Sequence, residues 1–115
     1  MSTASETERV LAHHLEGIGE GDLEKILEDY SEDSVVIAPE TTVQGLAGIR
    51  AFFTELMKGF TPEAMSKFQM GRQDVSGEVA YIVWSVDGMV PLGTDTFVVR
   101  NGKIAVQTFA MYALA

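Results

Sequence analysis

The chain has no cysteine among its 115 residues. Disulfide staples and thiolate chemistry are therefore excluded. Basic side chains are scarce: 8 lysines and arginines face 17 acidic residues, for a formal net charge of −9. Such a surface repels phosphate backbones and anionic lipids, so neither nucleic acid nor a membrane is an expected partner. No stretch approaches the roughly 20 apolar residues of a membrane span. The opening Met1-Ser2-Thr3-Ala4-Ser5-Glu6 has no basic start and no apolar run, so no signal peptide is read and the cytoplasm is the expected location. Much of the acid lies between Glu16 and Asp33, where it reads as a solvated helical face.

Metal and nucleotide motifs are missing too. His13 and His14 are adjacent, so a helix cannot aim both at one ion, and there is no His-x-x-x-His. Gly17, Gly19 and Gly21 follow a helical pattern and not a strand, unlike a dinucleotide fingerprint. No serine sits in a nucleophile elbow. No metal and no cofactor are expected.

What is present is 46% hydrophobic residues, enough for a core without staples. The length suits a single domain over 1–115. Ser5-x-x-Glu8 reads as a capping box, and Val10, Leu11, His14, Leu15 and Ile18 recur behind it at helical spacing. Asp22 caps a second helix that turns Leu23, Ile26, Leu27 and Tyr30 inward. Short strands are expected over 34–38 and 41–44, then a third helix over 46–57 with Ile49, Phe52, Phe53 and Leu56 as its buried stripe. Strands follow over 65–75, 79–86, 93–100 and 103–112, the last two joined by Asn101-Gly102, the strongest short hairpin signal. Helices followed by an antiparallel meander make an α+β pattern.

Several phrases in this order resemble the nuclear transport factor 2-like superfamily, in particular its SnoaL-like and ketosteroid isomerase-like branches. They are Gly21-Asp22-Leu23, Tyr30-Ser31-Glu32-Asp33-Ser34-Val35, Gln44 to Arg50, and Asp95-Thr96-Phe97 ahead of Asn101-Gly102-Lys103-Ile104. The resemblance implies a cone, with three N-terminal helices packed on a strongly curved, mainly antiparallel sheet that encloses a pocket. It also implies a small hydrophobic, carbonyl-containing ligand and a homodimer formed through the sheet.

Within that frame the polar residues on inward faces become candidates. His14 lies on the apolar stripe of the first helix, where the isomerase branch carries a tyrosine that donates to the substrate oxygen. Asp95 shares its strand face with Phe97 and Val99, and matches the position of a protonated oxyanion donor in steroid-isomerising relatives. Together they are the expected catalytic pair of a cofactor-independent isomerase, cyclase or lyase, within hydrogen-bond reach of each other directly or through one water. The expected ligand-binding residues are Tyr30, Phe52 and Phe53 from the helices, Ala38 from the first strand, and Tyr81, Val83, Ser85, Phe97, Gln107, Phe109 and Met111 from the later strands. Trp84 is placed on the convex face, and the row Ala80, Ile82 and Trp84 is expected to be covered by a second copy. One departure favours a non-catalytic ligand-binding or dimerisation domain instead. The isomerase branch keeps its base, an aspartate, just before a proline, and this chain has Ala38 before Pro39.

Overall fold

The computed structural model describes residues 3–114; Met1, Ser2 and Ala115, part of the span read above as one domain, lie outside the described residues. Helix α1 (Ala4–Glu20) and α2 (Leu23–Leu27) come first. Strands β1 (Val35–Ile37) and β2 (Thr42–Gln44) form a small hairpin, followed by α3 (Gly45–Gly59) and a one-turn α4 (Pro62–Met65). The meander β3 (Phe68–Ser76), β4 (Val79–Val86), β5 (Val90–Arg100) and β6 (Lys103–Tyr112) completes an α+β fold. The helices pack on a curved, unclosed sheet of order β2-β1-β6-β5-β4-β3, antiparallel except for β1 beside β6.

Local chemistry accounts for most boundaries. Thr3, not Ser5, caps α1: its hydroxyl accepts from the Glu6 N–H at 3.1 Å, so the same Thr-x-x-Glu spacing operates two residues earlier. Asp22 caps α2 by accepting from the Lys25 N–H. The fourth helix was not foreseen. Pro62 opens it at a first-turn position that needs no N–H donor, under the Thr61 cap, and this moves the start of β3 from Met65 to Phe68. Asn101 and Gly102 have φ of 54° and 73°, so both centre the primed turn that hairpins require.

The first turn of α1 clamps two sheet turns. The Thr7 hydroxyl donates to the Gly77 carbonyl at 2.7 Å, and the Gly102 N–H donates to the Glu6 carboxylate at 2.5 Å. The loop after α2 is pinned on β6, where the Ser34 hydroxyl donates to the Ile104 carbonyl and the Ile104 N–H donates to the Asp29 carbonyl. These ties set His14 and Tyr30 over the concave face. His13, one position off the apolar stripe, pairs with the buried Asp29 carboxylate at 2.8 Å, which raises the histidine's pKa.

The parity of β4 is the opposite of that expected. Ala80, Ile82, Trp84 and Val86 are buried under the helices, while Tyr81, Val83 and Ser85 are half-buried on the other face. Register explains it: Ala80 pairs with Phe97, Ile82 with Asp95 and Trp84 with Gly93, and cross-strand partners share a face. The row assigned to a dimer partner is therefore inside. Gly93 makes room for the indole; a Cβ there would stand 2.3 Å from Trp84 Cε2. Gly93→Ala is expected to lower stability by about 1–3 kcal/mol through overpacking. Urea unfolding checks this, and an unchanged midpoint would mean that the ring has another place to go.

Candidate functional site

An apolar cavity of about 50 Å³ lies between the helices and the concave sheet face. His14 and Ile18 of α1 and Phe53 and Met57 of α3 line one side. Trp84, Asp95, Phe97, Gln107 and Phe109 line the other. No lysine or arginine reaches this cavity, and Asp95 is the one carboxylate among its lining residues.

Asp95 is only 6% exposed, in the middle of β5. Its two oxygens are claimed separately: Trp84 Nε1 donates to Oδ1 at 2.8 Å and Gln107 Nε2 donates to Oδ2 at 2.8 Å. The Gln107 carbonyl in turn accepts from the Tyr30 hydroxyl. Each donor leaves the next group a single role. Indole can only donate, and a tyrosine that donates to Oε1 turns the amide nitrogen toward the carboxylate. Burial pushes the Asp95 pKa up to about 6, because the anion loses its water. The two N–H donors work against that rise, yet no cation balances it. Tyr30 is held well above its ordinary value by burial first and then by the Asp95 charge, so its hydroxyl keeps its proton.

His14 stands apart from this network. Its ring meets Phe97, Phe53 and Tyr30 edge to face at centroid distances of 5.1, 5.9 and 6.0 Å. Its Nδ1 is buried with no hydrogen-bond partner among the described residues. Burial, with a smaller contribution from His13, pushes its pKa down to about 3, so the imidazole is neutral at physiological pH. The expected direct hydrogen bond between His14 and Asp95 is not formed. Trp84 and Gln107 take the carboxylate oxygens, and Trp84 had been placed on the wrong face.

The other candidates divide. Phe53, Phe97, Gln107 and Phe109 line the cavity with His14 and Asp95. Phe52 and Met111 line a neighbouring outer groove, and Tyr30 sits behind Gln107. Ala38 lines neither space: its N–H closes the β1–β2 turn on Thr41 O. Tyr81, Val83 and Ser85 face away, with the Arg72 guanidinium over the Tyr81 ring at 5.7 Å. Sequence reasoning missed Trp84, Phe60 and Phe68, whose rings pack together. Gly93 opposite Trp84 was the available signal for the first of these. Among the described residues no cluster of three or more histidines and carboxylates could hold a metal, and no helix is long and apolar enough to cross a membrane.

This geometry has relatives. A family model described as a SnoaL-like domain matches residues 11–107, and the chain belongs to that family. Among solved structures, a nuclear transport factor 2-like protein of unknown function from Burkholderia xenovorans LB400 is similar at TM-score 0.74 and 17% identity, over 96% of this chain and 86% of that one. A provisionally assigned polyketide cyclase from Sinorhizobium meliloti is similar at TM-score 0.72 and 20% identity, over 88% and 93%. A de novo designed protein with a curved β-sheet is similar at TM-score 0.77 and 21% identity, over 94% and 86%. At these identities the likeness is one of fold. No curated protein matches at a significant level.

Two buried titratable groups at the cavity, Asp95 and His14, oppose each other in acid. In the folded chain Asp95 holds a proton up to about pH 6, against 3.8 ordinarily, so it adds stability as pH falls across that interval. Folded His14 refuses a proton that the unfolded chain binds below 6.5, so it removes stability from there down to about 3. Asp95→Asn removes the first effect and keeps the second. Its stability is expected to fall more steeply than the parent's between pH 6 and pH 4, by about 1.4 kcal/mol per pH unit. Urea unfolding at stepped pH measures both slopes, and equal slopes would contradict the assignment.

Proposed function

We propose that the cavity binds the polar end of a small hydrophobic carbonyl compound and that Asp95 is its catalytic base. One observation carries this: a carboxylate buried among aromatic rings, held by two N–H donors and with no cation beside it. A base with a pKa near 6 is well matched to proton transfer at neutral pH. His14, the other member of the expected catalytic pair, is too weakly basic when buried to be the base and takes the donor role. In the proposed step Asp95 accepts a proton from the carbon beside the carbonyl. The C–H pair becomes the enolate double bond, and the charge on the oxygen is met by the neutral imidazole N–H. Return of that proton to a different carbon is an isomerisation, and attack of the enolate carbon on a second carbonyl is a cyclisation. A structural neighbour provisionally assigned as a polyketide cyclase supports a carbonyl-rich ligand.

Deuterium exchange at the carbon beside the carbonyl of a small ketone, followed by NMR, tests the proposal. The rate is expected to rise with pH through about 6 and to drop roughly 10²–10⁴-fold in Asp95→Asn. An unaffected Asn variant would sink the assignment. Binding without exchange is the outcome for a non-catalytic binding domain, the reading that Ala38 favours.

The reading includes a homodimer through the outward sheet face, where Tyr81, Val83, Val98 and Val106 are only half-buried in the single chain. Sedimentation velocity at micromolar concentration is expected to show a dimer, and a monomer would contradict it.

A further inference from the structure

A second space lies beside the cavity. It is an open groove of about 600 Å³ between the outer side of α3, strand β2 and the sheet end at Met89 and Met111. Its walls are Val43, Phe52, Leu56, Phe60, Met89 and Met111, above Ala51 on the exposed face of the helix. The polar side chains on it are Thr41 and Glu55, and the Glu55 carboxylate is held by Lys58 at 2.7 Å. Leu56 and Phe60 line both the groove and the inner cavity. The two spaces are therefore separated by a partition one side chain thick.

The sizes do not fit a ligand confined to the cavity. Pockets for organic ligands run to roughly 300–1,000 Å³, and the cavity offers about 50 Å³. That is room for a carbonyl and a few carbons next to Asp95. Phe60 is the cap residue of α3, just past the last helical turn, and its ring packs edge-on against Trp84 at 5.8 Å. At a helix end the side chain can swing without breaking an internal turn.

We propose that the ligand is elongated: its polar end enters the cavity at Asp95, its apolar body lies in the α3–β2 groove, and Leu56 and Phe60 swing aside to join the two. This rests on the small-molecule reading above and adds the substrate class, a long-chain or multi-ring apolar compound with one polar terminus. The groove supplies no buried polar partner, so it selects for apolar length. Met89 and Met111 suit that task, because flexible thioethers adapt to irregular apolar shapes.

The single tryptophan, Trp84, stands at the junction and reports binding through its fluorescence. Parent protein is titrated with methyl ketones from butanone to dodecan-2-one, and with straight-chain alcohols of the same lengths. Affinity is expected to rise roughly four-fold per methylene well beyond butanone. Ala51→Arg sets a helix-compatible charged side chain in the groove at an exposed position. It is expected to leave butanone binding unchanged and to weaken decan-2-one by roughly ten-fold or more. Phe60→Ala, which opens the partition, is expected to tighten the long ketones. A plateau at butanone in the parent, or an unaltered length dependence in Ala51→Arg, would overturn the proposal. So would an Ala51→Arg change confined to sedimentation, which would give the groove to a second copy of the chain. If alcohols bind as well as ketones with the length dependence intact, the carbonyl reading fails and the elongated ligand stands. If neither series binds, both fail.

Discussion

An ionisable carboxylate in the middle of a sheet strand, under aromatic rings, costs free energy unless something claims both its oxygens. In this chain Trp84 and Gln107 each give Asp95 one N–H. Much of the interior is arranged around that requirement. Gly93 opens the space for the indole. Tyr30, held over β6 by the Ser34 and Asp29 contacts to Ile104, fixes which way the Gln107 amide points. The clamped first turn of α1 brings His14 over the same cavity.

How far this was legible depended on where the sequence carries contrast. The Asn101-Gly102 turn, the α1 stripe and the alternation of Asp95 with Phe97 each have it, and each led to the right face. Val79 to Trp84 has none, being apolar on both sides, so counting by twos cannot say which row is inside. Only the register with β5, where Ile82 opposes Asp95, decides it. The misplacement of Trp84 then propagated. Without the indole donor, His14 was the obvious partner for Asp95. With it, the carboxylate is satisfied and the histidine is left neutral. The groove was not legible at all, since its walls come from β2, α3, the turn before β5 and the end of β6.

The same packing changes the chemistry that family resemblance suggests. Ala38 cannot supply a base and does not reach the cavity. The position at which relatives keep a protonated acid here holds a carboxylate with two donors and a pKa near 6. A donor-supported carboxylate repels a developing oxyanion, but it is well placed to accept a proton. An uncharged histidine across the cavity can donate to the oxygen. In the proposed step the division of labour between the two residues follows which of them the tryptophan reaches. The likeness to a de novo designed protein with a curved β-sheet is one of fold, and a fold alone does not fix a function.

Everything proposed for this site requires the buried carboxylate to titrate where its surroundings put it. Carbon-13 NMR of the aspartate side-chain carboxyls, assigned by comparison with Asp95→Asn, reads this directly. The Asp95 signal is expected to titrate at about pH 6, with the Trp84 indole proton shifting in step. An Asp95 carboxyl that titrates near the usual 3.8, or an indole proton indifferent to the transition, would contradict it.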